Sequence, residues 1–221
     1  MSLLEKGSIY NQPSVYNQGE GGGGGTPDGY RFYTKIVFKG TTDFNNSQKK
    51  ALLKNIKYDD VIYFAFSFVP SKVSGYTFDI NFQERRGWSY FRRTGHVQNN
   101  STTAKFINEY TQSANTIPFN STLYNCLTKM TSTYAMFNGA FQINVDISNY
   151  DYTIETLGPW QAPAEIYYLK IYDSTEETIK FDLFPALQID TGKKGLYDKV
   201  SNTFIEANDQ TSNTVLFGPI E

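Results

Sequence analysis

The sequence predicts an all-β fold, a β-sandwich carrying one or two short helices behind an extended N-terminal arm. Three observations lead there. Aromatic residues make up 16% of the 221 residues, with 17 Tyr and 17 Phe, and such side chains suit the pleated surface of a strand. Apolar and polar residues alternate with a period of two in many short runs bounded by turn residues. No regular succession of strand and helix patterns suggests a parallel sheet with crossover helices. A chain of this length buries roughly 70% of its unfolded surface in one domain, so it needs no staples.

The chain opens on a small repeat, Ser8-Ile9-Tyr10-Asn11-Gln12 and then Ser14-Val15-Tyr16-Asn17-Gln18. Residues 1–18 are too few to bury two such apolar pairs. They either lie on their own domain, stay a disordered tail, or bind another chain as an extended anchor peptide with Ile9, Tyr10, Val15 and Tyr16 filling pockets, and the last is the reading adopted. Gly19-Glu20 and five more glycines follow. Glycine loses the most backbone entropy on ordering, so residues 19–29 are read as a flexible linker. Its seven-residue core spans about 15 Å on average and about 25 Å at most.

From Tyr30 to Glu221 the sequence reads as the sandwich domain. Phe32, Thr34, Ile36 and Phe38 alternate with Tyr33, Lys35 and Val37 as a strand. Ser47 could cap a short helix reaching Ile56, with Leu52, Leu53 and Ile56 on one side. Val61 to Val69 reads as a buried strand and Tyr76 to Phe82 as another. Gly87 and Gly95 bracket a strand in the polar, aromatic stretch from Arg85 to His96. Leu123, Cys126, Leu127 and Met130 fall at helical spacing and suggest a second helix from Asn120 or Ser121. Phe141, Ile143, Val145 and Ile147 restore the alternation of a strand.

The C-terminal quarter is the most regular part. Tyr167, Leu169 and Ile171 alternate with Ile166, Tyr168, Lys170 and Tyr172, and Ile179, Phe181 and Leu183 alternate with Thr178, Lys180 and Asp182. Ser174 to Glu177 is short enough to join these runs as a hairpin. Pro185 cannot donate to a ladder and is expected to end the second strand. Gly195-Leu196-Tyr197-Asp198, then Phe204, and a closing Gly218-Pro219 complete the set.

The order of these pieces resembles the C-terminal end of concanavalin A-like (laminin-G-like) sandwich domains, which recur in structural and fibre proteins of tailed bacteriophages and in surface proteins of gut bacteria. The resemblance rests on Gly195-Leu196-Tyr197-Asp198, Phe204 and Gly218-Pro219 and covers about a quarter of the chain. It implies a jelly-roll sandwich that binds glycans or is purely architectural.

Composition narrows the function. A net charge of −2 offers no general attraction to nucleic acid or to anionic lipid, so neither nucleic acid nor a membrane is an expected partner. The N-terminus shows no signal peptide, and the longest apolar run is too short to span a bilayer. One cysteine and one histidine exclude a disulfide framework and a zinc-type cluster. Cys126 is read as a small buried side chain and His96 as a polar side chain at a strand end. No cofactor or metal is expected.

Nor is an enzyme. A glycosidase needs two carboxylates facing one cleft, and β-sandwich glucanases place theirs on alternate positions of one strand. Asp146, Asp151 and Glu155 are too widely spaced for that, and Glu176-Glu177 falls in an expected turn. For glycan binding, Trp88, Tyr90 and Arg92 are the candidates, because alternation sets them on one face of their strand.

Anchor, linker and resemblance together imply a non-enzymatic virion structural protein of a tailed phage, a head fibre or capsid decoration protein, made in the host cytoplasm. Residues 1–18 would hold the major capsid protein or another virion protein. Further copies of the chain, a trimer being the expectation, and a host-surface glycan are the other implied partners. The alternative is a lectin-like carbohydrate-binding module of a tail fibre or of a bacterial surface protein.

Overall fold

The computed structural model describes residues 27–39, 44–45, 53–69, 78–84, 92–94, 96–99, 103–107, 114–118, 123–144, 152–159 and 163–220. All regular elements among them are strands: β1 (Tyr30–Phe38), β2 (Phe44–Asn45), β3 (Leu53–Ile56), β4 (Val61–Phe68), β5 (Phe78–Glu84), β6 (Arg92–Thr94), β7 (His96–Asn99), β8 (Thr103–Ile107), β9 (Ile117–Pro118), β10 (Tyr124–Met130), β11 (Tyr134–Phe137), β12 (Phe141–Asn144), β13 (Tyr152–Pro159), β14 (Ala164–Tyr172), β15 (Ile179–Gln188), β16 (Lys193–Asp198), β17 (Thr203–Glu206) and β18 (Thr214–Pro219). Their pairings are antiparallel.

Ten strands form one sheet in the order β12-β11-β10-β4-β14-β1-β15-β16-β17, with β18 on β1. A second sheet runs β2-β13-β5-β6 with β3 on β13, and a third is β7-β8-β9. The fold is therefore all-β and organised around a large antiparallel sheet.

At the centre of that sheet β14 and β15 make the expected hairpin, Leu169 opposite Leu183 and Ile171 opposite Phe181. Beyond Leu169 and Leu183 the two strands part, and β1 fills the fork. Its first half pairs with β15, Phe32 opposite Ala186, and its second half with β14, Ile36 opposite Ile166. The other edge of β1 carries β18 from Tyr33 to Phe38. Both edges of the first strand are thus hydrogen-bonded.

β4 shows why these residues make strands. All eight positions are buried. Phe64, Phe66 and Phe68 stack on the core side, with ring centroids 4.8 Å and 6.0 Å apart. They pack with Ile36, Phe38, Ile62, Cys126, Met130, Leu169, Ile171, Leu183 and Leu196 in one cluster. Each such side chain contributes about 1.5–3 kcal/mol by leaving water.

Four expectations are corrected. Residues 53–56, read as a helix end, form β3. Asn55 there adopts a left-handed φ of 61°, which lets Leu53 and Ile56 both point inward although they are three apart. A bulge in the pairing with β13 accompanies it. The helix expected from residue 120 is strand β10, with Cys126, Thr128 and Met130 buried on one side. Pro185 does not end β15, which continues to Gln188. The Asp182 carbonyl accepts from Lys199 N–H on the β16 side, and the Ile189 N–H donates to Gly29 on the β1 side. Alternation then aims position 185 at the edge where the partner changes from β14 to β1, so no donor is needed there. Lastly, a bulge between Ile166 and Tyr168 sends Ile166 into the core beside Leu169 and Ile171. Tyr167, expected among them, bonds to Ser67 and Glu165 instead.

Candidate binding face

In an antiparallel ladder, residues directly opposite one another share a face. Lys129 lies opposite Tyr63, Tyr63 opposite Lys170, and Lys170 opposite Asp182. These four therefore form a row across β10, β4, β14 and β15, on the face turned away from Phe64 and Leu169. Beside the row, Phe184 lies opposite Tyr197 and Tyr197 opposite Phe204. Phe32, Phe184, Ala186 and Tyr197 make a second buried cluster, edged by Tyr30, Tyr168, Phe204 and Ile220.

Lysines lie over these rings. The Lys199 ammonium is 4.8 Å from the Phe32 centroid and 4.3 Å from that of Phe184. Lys170 is 5.3 Å from Phe184 and 5.8 Å from Tyr168. An ammonium over a ring face is attracted by the ring quadrupole while its methylene stem covers apolar surface.

The carboxylates are placed unequally. Asp182 Oδ1 is buried and takes no hydrogen bond among the described residues. Lys170 Nζ stands 3.5 Å from it, an ion-pair distance that is long for a hydrogen bond. Burial raises the Asp182 pKa, against the opposing pull of Lys170 and Lys199. Burial also lowers the Lys199 pKa, more than Asp182 raises it. At the other end of the row Glu176 is fully engaged. It accepts a short hydrogen bond from the Tyr63 hydroxyl and one of 2.7 Å from Lys129.

A second polar chain lies at the β1–β14–β4 junction. Lys35 Nζ reaches Glu165 at 2.9 Å and 3.0 Å, Tyr167 donates to Glu165 at 2.8 Å, and Ser67 donates to Tyr167 at 3.0 Å. It satisfies the buried Glu165 and Ser67, which gives it a structural task.

Of the residues singled out from the sequence, Ile9, Tyr10, Val15, Tyr16, Trp88 and Tyr90 lie outside the described residues. Arg92 is in β6, opposite Gln83. His96 begins β7, opposite Ile107. Cys126 is fully buried in the main core, and burial pushes its thiol well above the ordinary range. Among the described residues no three of His, Cys, Asp and Glu are grouped to hold a metal ion.

Sequence reasoning passed over Lys170, Asp182 and Lys199. Aligning the hairpin on its short turn sets Lys170 opposite Phe181, and only the register shift between Ile171 and Tyr172 brings Asp182 opposite Lys170. What one chain could not show is that Phe32, about 150 residues away in sequence, completes the cluster. No protein-family model matches the chain, and neither curated proteins nor solved structures include a match to it.

Proposed function

We propose that the chain is a non-enzymatic structural protein of a tailed-phage particle, a head fibre or capsid decoration protein. Residues 1–18 dock on another virion protein, and the strands from Tyr30 onward form a jelly-roll sandwich displayed outward. The observation that supports this is the way the arm joins the fold. Pro27 to Gly29 make a turn in which Tyr30 N–H donates to the Pro27 carbonyl at 3.1 Å, and the Gly29 carbonyl accepts from Ile189 at 2.8 Å. The chain then enters β1, which pairs with β15 over Tyr30–Phe32 and, further on, with β14 on that edge and β18 on the other. Tension on the arm meets the β15 ladder first and the β18 ladder from Tyr33 onward, inside the sheet rather than on a free edge strand, which suits a tethered domain. Several weak arms on one symmetric oligomer would gain avidity from linkage.

The test compares the full chain with residues 26–221 in sedimentation with the particles of the encoding phage. Both are expected to give the same β-type circular dichroism, and only the full chain to sediment with particles. Equal sedimentation would remove the anchor.

A further inference from the structure

The lysine-bearing sheet face offers something the anchoring role does not use. Two ammoniums, Lys170 and Lys199, converge on the Phe184 ring at 5.3 Å and 4.3 Å. Asp182 lies 3.5 Å from Lys170, and the buried Asp198 carboxylate behind it is taken up by the Asp182, Val200 and Ser201 N–H groups. Among the described residues Lys199 has no carboxylate within ion-pair distance; its contacts are the rings of Phe32 and Phe184. A cation partly stripped of water by rings, on a residue that is itself exposed, gains from an incoming anion more than a fully hydrated lysine does.

The chemistry also limits the kind of anion. Asp182 pairs with Lys170 and lies within electrostatic reach of Lys199, and it repels a ligand densely lined with carboxylates. A ligand with isolated acidic groups separated by neutral hydroxyls meets the lysines without that penalty. Its hydroxyls can also exchange hydrogen bonds with the Tyr168 hydroxyl, the Tyr63 and Tyr197 hydroxyls being held by Glu176 and Asn202.

We propose that Lys170 and Lys199, set over Phe184 and Phe32 beside Asp182, form a binding site for an acidic saccharide carrying one carboxylate among neutral hydroxyls. Lys199 holds the carboxylate, Lys170 shares it on the Asp182 side, and Tyr168 borders the sugar. The site is distinct from the arm, and its test needs no particle, so either idea can fail without the other.

The experiment is calorimetric titration of the full chain with a hyaluronan octasaccharide, which has one carboxylate per two sugar units. Maltoheptaose and a short polyglutamate serve as the neutral and the carboxylate-dense probes. Saturable hyaluronan binding is expected, weakened at least fivefold by Lys199→Gln and by raising salt from 50 to 300 mM, and largely kept in Lys199→Arg. Maltoheptaose is expected not to bind. Lys193→Gln is the control, since Lys193 pairs with Glu206 at an exposed position; it should bind like the parent. Circular dichroism and thermal unfolding show whether each variant is folded. Should Lys199→Gln fail to fold, Lys170→Gln takes its place under the same expectation. No saturable binding, equal loss in Lys193→Gln, or tighter binding of polyglutamate would overturn the proposal, the last by transferring the site to an acidic protein partner.

Discussion

The Tyr63 hydroxyl, near the start of β4, donates a short hydrogen bond to the Glu176 carboxylate in the turn between β14 and β15. Glu176 holds a left-handed φ of 60°, which costs a non-glycine residue roughly 1 kcal/mol. Its bonds to Tyr63 and Lys129 offset that cost and tie the hairpin tip to the sheet. Tyr63→Phe should lower the unfolding free energy by about 1–2 kcal/mol in urea titrations. A double-mutant cycle with Glu176→Gln should show positive coupling. Independent effects would mean that the bond does not hold the tip.

The same pair sets an alkaline prediction. Burial, and after it the Glu176 bond, pushes the Tyr63 hydroxyl up to about 12. Tyr167 and Tyr168 are also pushed up to about 12, chiefly by burial. Groups that hold protons more tightly when folded contribute stability fully below the unfolded value near 10, and that stability is lost as pH rises toward 12. Ultraviolet titration should show a late tyrosine class, reduced by one in Tyr63→Phe. Urea midpoints should fall between pH 9.5 and 11.5. A single class titrating near 10 would contradict the burial of these hydroxyls.

Gly195 makes room for its neighbours on β17. A Cβ at this position would sit 2.1 Å from the Ile205 carbonyl oxygen and 2.8 Å from Phe204 Cζ, closer than real contacts allow. Gly195→Ala should cost about 2–4 kcal/mol through backbone displacement. Thermal unfolding should show it, and Gly195→Val should be worse. A change within 0.5 kcal/mol would show that β16 and β17 can part there without cost.

Much of this fold was legible because alternation survives wherever one face is apolar. β1, β4, the β14–β15 hairpin and the turn at 174–177 follow from it, and Gly195 with Phe204, noticed as a motif, proves to be a glycine under a ring. Reading failed where a bulge or a buried polar residue broke the period. Leu53 and Ile56 mimic helical spacing because Asn55 is left-handed. Leu123, Cys126, Leu127 and Met130 mimic it because Thr128, fully buried in the same strand, reads as polar. The Lys170–Asp182–Lys199 cluster was hidden for another reason: a register shift between Ile171 and Tyr172 sets Lys170 opposite Asp182, and Phe32 joins only through β1.

Cys126 checks the core directly. Its thiol is fully buried and raised by that burial, with Thr128 Oγ1 3.7 Å from the sulfur. A thiolate is the reactive form, so Ellman's reagent should leave the native protein unlabelled at pH 8 and label one thiol per chain in 6 M guanidinium. Rapid labelling of the native state would mean that β4 and β10 open readily.

The central claim, the proposed attachment through the arm to a phage particle, is tested most directly by moving residues 1–25 onto an unrelated monomeric fluorescent carrier and measuring its binding to particles, lacking this protein, of the phage to which the proposal assigns it. The account predicts saturable binding of the fusion, competed by the full chain and lost when Tyr10 and Tyr16 are both replaced by Ala. A fusion that stays in the supernatant, while the full chain binds the same particles, would contradict it.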